Sequence, residues 1–192
     1  MSVAAVIMAA GSGSRFNGDE PDAPPGAKLL VLVKGHPVLT WAIAPALAAG
    51  FDEVVVVGGA ANLSAVVPAS VTLLQNDEWP LGLATSLKVG LDWCAAQGHD
   101  RAVIGLGDMP GLAPVAWRAI ATEPKGPIVF ATYQGRRGHP VRLDAAIWTM
   151  LPWRGDEGAR ALARQHPELV QEVACVGTTD DIDTPEDLER WS

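Results

Sequence analysis

Several stretches of this chain carry residue types that handle phosphate and metal. The first is Gly11-Ser12-Gly13-Ser14-Arg15, which follows an apolar run ending at Ala9 and Ala10. Backbone N–H groups of such a loop curl around phosphate oxygens, and Arg15 with the later Lys28 supplies positive charge. A dinucleotide fingerprint is broken, because Phe16 stands where the last glycine of G-x-G-x-x-G belongs. No Gly-Lys-Ser/Thr follows for a Walker loop either, so the loop suits a triphosphate. The plain alternative is a Gly/Ser turn with a surface arginine. Position favours the first reading, since ligands of open α/β sheets sit at the carboxyl ends of strands.

Asp108 is presented in Gly107-Asp108-Met109-Pro110 at the end of an apolar run. A lone carboxylate is costly at a buried strand end, and Mg²⁺ or a strong hydrogen-bond partner is its natural companion. Capping of the next turn is the competing role. In Asp181-Ile182-Asp183, extended alternation puts both acids on one face. By itself this reads as a solvated helix entrance; with Asp108 it makes an oxygen-ligand metal site. His139 lies in Gly138-His139-Pro140-Val141, flanked by Arg136, Arg137 and Arg142, whereas His36 belongs to a turn at a helix entrance. A lone histidine is as a rule structural. Trp79-Pro80-Leu81-Gly82 opens a helix, where a glycine lets a nucleoside ring approach the backbone.

The elements that must position these groups follow from periodicity. Apolar β-rich runs at 3–8, 53–57, 71–74, 102–106 and 127–132 are uninterrupted, as in strands covered on both faces. Between them, helical patterns at 37–49 and 84–96 end at glycine, and a third spans 113–121. Further on we expect a strand at 139–143, short helices at 144–151 and 157–165, a strand at 169–176, and a helix capped by Thr184 with Pro185 in its first turn. The alternation implies a three-layer αβα fold around a mostly parallel, Rossmann-like sheet. The Pro-rich segment 19–26 reads as a mobile insertion, and residues 1–192 as a single domain.

Composition narrows the function. With 48% hydrophobic and 19% charged residues the chain can bury a core. A net charge of -8 provides no cationic surface for nucleic acid, so any bound phosphate belongs to a small molecule. No apolar window reaches the length of a membrane span, and the first ten residues lack the basic start of a signal peptide. Cys94 and Cys175 form neither a disulfide framework nor a metal cluster, and a reducing cytoplasm is the expected setting.

In order along the chain come Ala9-Ala10-Gly11-Ser12-Gly13-Ser14-Arg15, Lys28-Leu29-Leu30, Asn76-Asp77-Glu78-Trp79 with Gly82 and Ser86-Leu87, and Gly107-Asp108-Met109-Pro110. Gly138-His139-Pro140-Val141, Gly155-Asp156-Glu157-Gly158-Ala159-Arg160 and Asp181-Ile182-Asp183-Thr184-Pro185-Glu186-Asp187-Leu188 complete the series. Taken together they resemble the nucleotidyltransferase family that includes molybdenum cofactor cytidylyltransferases and the related guanylyltransferases. The resemblance implies a nucleotide-diphospho-sugar-transferase type of fold. It implies that Ala9 to Arg15, Lys28, Asn76, Gly82 and Ser86 bind nucleotide, with Arg15, Lys28 and Asp108 catalytic. Mg²⁺ would sit on Asp108 and Asp183, less firmly on Asp181. His139, Asp156 and Arg160 would lie on the acceptor side.

Ala-Ala-Gly in the first loop accompanies cytidine nucleotides in such families, which points to CTP. The implied reaction is attack of the terminal phosphate of molybdopterin on the α-phosphorus of CTP, with release of pyrophosphate. By the same resemblance, a molybdenum hydroxylase would receive the product. Three other functions compete: transfer to another phosphorylated acceptor, NAD(P)H-dependent reduction on the same fold, and non-catalytic carriage of the molybdenum cofactor.

Overall fold

Valine-, isoleucine- and alanine-rich segments form the centre of the protein because each can bury both of its faces. The structure, a computed structural model, describes residues 1–17 and 24–191. Its elements run β1 (Val3–Ala9), α1 (Ser14–Asn17), β2 (Leu32–Val33), β3 (His36–Pro37), α2 (Val38–Ala49), β4 (Glu53–Gly58), β5 (Thr72–Gln75) and α3 (Leu83–Ala96). They continue β6 (Arg101–Leu106), α4 (Pro114–Thr122), β7 (Ile128–Tyr133), β8 (Arg136–Asp144), α5 (Ala159–Gln165), β9 (Val170–Ala174) and α6 (Pro185–Glu189). Among the described residues, the main sheet has the order β5-β4-β1-β6-β8-β7-β9. Its pairings are parallel except those of β8, which runs antiparallel to both β6 and β7.

The strands alternate between two cores. Ala5 and Ile7 of β1 and Val54 and Val56 of β4 pack with Leu39, Ile43, Trp117 and Ile120 of α2 and α4. Ala4, Val6, Val55 and Val57 point the other way, to Leu87 and Leu91 of α3 and Leu162 of α5. This alternation gives the three layers expected. The run at 71–74 departs from the two-faced rule: β5 is an edge strand with Leu73 exposed.

Boundary differences have local causes. Residues 145–150 form a 3-10 helix, α5 begins only at Ala159 after Gly158, and β9 is confined to Val170–Ala174. His36 belongs to a two-residue strand pairing with Val33. β8 starts before His139 because Gln134 and Gly135, with φ of 52° and 79°, turn β7 back on itself. Such a two-residue turn needs positive φ at both positions, and a glutamine there carries no sequence signal. Of the 19–26 insertion, residues 19–23 lie outside the described residues. No helix among the described residues is long and apolar enough to cross a membrane.

Candidate functional site

Two strand ends meet at the glycine loop. The Gly107 N–H donates to the Met8 carbonyl, extending β6 along β1, so Asp108 emerges beside the loop that begins after Ala9. The Gly26 N–H reaches back to the Ser12 carbonyl at 2.6 Å and sets the 3-10 turn Ala27–Leu30 against that loop. Gly13 sits at φ 66°, and a Cβ on it would lie 3.3 Å from Lys28 Cβ. The loop is thus folded onto the lysine stem. A cavity of about 70 Å³ between Ala9, Gly11, Gly13, Gly26, Lys28 and Asp108 marks where the backbone curls.

Lys28 Nζ donates to Asp108 Oδ2 at 2.6 Å and to Asp183 Oδ1 at 3.1 Å. The Ile182 N–H donates to the Asp108 carbonyl, drawing the acidic segment onto the end of β6, and Ile182 itself is fully buried. Thr184 caps α6 in a reciprocal box with Asp187, which fixes the segment from its other side. Residues distant in sequence therefore converge, and the long connection before Lys28 does not keep it from Asp108.

Burial works against the Lys28 charge, but Asp108 and then Asp183 outweigh it and raise its pKa above the usual value. Burial, with the Asp183 charge beside it, raises that of Asp181. The donor set fits a hard divalent cation. Asp108 Oδ1 is buried without a hydrogen-bond partner among the described residues, and one ammonium faces two carboxylates. No cluster of three or more ligand side chains forms among the described residues. An ion here would share two carboxylates with phosphate oxygens, as Mg²⁺ commonly does.

A second cavity, of about 460 Å³, opens beside the first, and Met8 lines both. Ile104, Leu106, Phe130, Val141 and Leu87 form its apolar walls, and His139, Asp156, Arg160 and Asp181 also line it. His139 Nδ1 lies 3.1 Å from the Ile104 carbonyl. Burial lowers the His139 pKa, with Arg160 adding to the effect, against the Ile104 bond and Asp108. Asp156 Oδ1 accepts from the Leu83 N–H and caps α3 from a distant loop.

Asn76 and Ser86 are tied together by a hydrogen bond, and Gly82 packs against a neighbouring loop. Asn76 Nδ2 donates to Thr85 Oγ1 and Ser86 Oγ, all three residues being buried. Gly82, at φ 110°, abuts the Gly155 carbonyl, where a Cβ would come within 2.7 Å. The Arg15 side chain lies outside the described residues. Arg137 and Glu157, both within stretches singled out in the sequence, also line this cavity, whereas Arg164 and Phe130 were not singled out there. An apolar strand residue whose side chain faces a cavity carries the same signal as one in the core, so nothing in the sequence distinguishes Phe130.

The family model described as a MobA-like NTP transferase domain matches residues 5–170. Nicotine blue oxidoreductase of Paenarthrobacter nicotinovorans is 30% identical over 203 residues, covering 98% of this chain and 95% of its own. Rv0371c of Mycobacterium tuberculosis H37Rv, solved in complex with manganese, superposes with a TM-score of 0.80 at 26% identity, covering 100% of this chain and 98% of that one. A nucleotidyl transferase from Methanothermobacter gives 0.79 at 26% identity over 98% and 95% of the two chains.

Proposed function

Because the chain belongs to the MobA-like NTP transferase family and is a nucleotidyltransferase, we propose that it transfers the cytidylyl group of CTP to the terminal phosphate of molybdopterin. A terminal phosphate oxygen attacks the α-phosphorus, the bond from that phosphorus to the bridging oxygen breaks, and pyrophosphate leaves. The acceptor phosphate is ionised at neutral pH, so the step needs no general base. The observation that carries this reading is the Lys28, Asp108 and Asp183 cluster, set between the glycine loop and the larger cavity.

Each residue has a role in that step. The segment from Ala9 at the end of β1 to Ser14 at the start of α1 offers backbone N–H groups to the triphosphate, and Lys28 places its charge on the leaving phosphates. Arg15 adds a second cation from the end of the loop. Asp108 and Asp183 would hold Mg²⁺, which supplies charge neutralisation between two anionic reactants. Manganese in the Rv0371c crystal supports a divalent ion of this kind. The Ala9-Ala10-Gly11 form of the loop supports CTP as donor. Asn76 and Ser86 hold the segment that carries Gly82, and His139, Asp156 and Arg160 line the acceptor cavity.

The likeness to nicotine blue oxidoreductase supports a second reading, that of a reductase on the same fold, for which NAD(P)H is the cofactor to test. Phe16 in place of the last fingerprint glycine speaks against it. Calorimetric titration of CTP, GTP, ATP and NADPH with and without Mg²⁺ separates the two. Transfer requires Mg²⁺-dependent binding with CTP preferred, weakened in Asp108→Ala. Binding of NADPH with no response to any triphosphate would instead establish the reductase.

A further inference from the structure

His139 is fixed by two hydrogen bonds, one to its ring and one to its backbone, and by a bulge in the strand that carries it. Its Nδ1 faces the Ile104 carbonyl, which can only accept, so Nδ1 carries the proton and Nε2 carries the lone pair. Its own carbonyl accepts from Tyr133 Oη at 3.0 Å. The register of β7 on β8 jumps between Phe130, opposite Val141, and Ala131, opposite Gly138, leaving His139 and Pro140 as extra residues. A bulge of this kind re-aims a side chain, here from the hairpin toward β6 and the cavity.

The imidazole is the polar feature of an otherwise apolar wall formed by Ile104, Phe130 and Val141. Nε2 has no hydrogen-bond partner among the described residues, and Arg160, which shares the cavity, has no ion-pair partner among them. Burial first, and then the Arg160 cation, oppose a second proton on the ring. An apolar ligand filling this cavity would therefore bury an unsatisfied acceptor, whereas a ring bearing an N–H would satisfy it.

Building on the reading of this cavity as the acceptor site, we propose that His139 is a specificity-determining residue whose Nε2 accepts a hydrogen bond from an N–H of a planar heterocyclic acceptor. Arg160 holds the anionic group of the same molecule. Selection between acceptors then rests on the hydrogen bond and not on apolar area, which a hydrocarbon ring of equal size offers as well.

Two planar bicyclic carboxylates test this: 6-carboxypterin, which has N–H donors, and 2-naphthoate, which has none. The intact protein should bind the pterin about tenfold more tightly or better. In His139→Asn the amide nitrogen takes the place of Nδ1 and keeps the Ile104 bond, but nothing replaces Nε2. That variant should bind the two probes within about twofold of each other, with thermal midpoint and CTP affinity unchanged. His139→Gln sets an amide oxygen near Nε2 and should keep the preference. The ratio of two affinities on one preparation is insensitive to any unfolded fraction. Equal binding of the probes by the intact protein, or a preference that survives in His139→Asn, would overturn the assignment. A protein that prefers the pterin through His139 but binds no CTP would leave this assignment standing and remove the transferase reading.

Discussion

At the scale of single residues, the site depends on one ammonium shared by two carboxylates. Lys28 and Asp108 are joined at 2.6 Å, and Asp108 Oδ1 still lacks a partner among the described residues. Asp108→Asn keeps the shape and removes the charge; we expect turnover to fall by about 10²–10³, measured as pyrophosphate release, with the circular dichroism spectrum unchanged. A different carboxylate governs acid stability. Burial alone would raise the Glu53 pKa, but hydrogen bonds from His99, Thr72 and Trp93 outweigh it and hold it below its usual 4.5. A depressed carboxylate stabilises the fold above its unfolded pKa, and that contribution is lost as pH falls through the folded one. Urea midpoints of the intact protein should therefore drop below pH 4.5, and Glu53→Gln should flatten that limb. Asp108, at the end of an apolar run, and Lys28, as a cation for the glycine loop, were legible in the sequence as candidates. Their direct ion pair was not, because nothing local signals a contact across 80 residues.

At the scale of elements, the ends of helices hold the site in place. Arg142 is fully buried at the end of α4, where its guanidinium donates to the carbonyls of Ile120, Glu123, Lys125 and Gly126. Asp144 Oδ1 lies 2.8 Å from its Nε, close enough for an ion pair though not aligned as a hydrogen bond. Arg142→Met should cost about 3 kcal/mol by chemical denaturation, since it strands four carbonyls and a carboxylate. The cap on α3 comes from far along the chain, with Asp156 accepting from the Leu83 N–H. Asp156→Ala should cost about 1 kcal/mol and raise the KM for the acceptor more than that for CTP. Strand and helix cores were readable from periodicity. The Gln134-Gly135 hairpin and the cap from Asp156 were not, the first for want of a turn-forming residue at its first position and the second because a distant loop supplies it.

At the scale of the whole molecule, a negatively charged chain brings its glycine loop, Lys28 and Asp108 to one point, where the ends of β1 and β6 meet. The sequence order of strands and helices was enough to give the three layers and the strand-end loop. It did not give the antiparallel β8, which pairs with both β6 and β7 and brings His139 to the larger cavity. The two cavities meeting at Met8 likewise exist only once the sheet is assembled. Binding at such a junction links to stability: CTP with Mg²⁺ at 100 times its Kd should add about 2.7 kcal/mol, or roughly 5–10 °C in Tm, and Asp108→Asn should lose that gain. The most direct measurement incubates the protein with CTP labelled at the α-phosphorus, Mg²⁺ and molybdopterin. One pyrophosphate released for each labelled cytidylyl-pterin formed is the expected result. Label that stays in CTP while the protein remains folded and able to bind the nucleotide would contradict cytidylyl transfer to this acceptor.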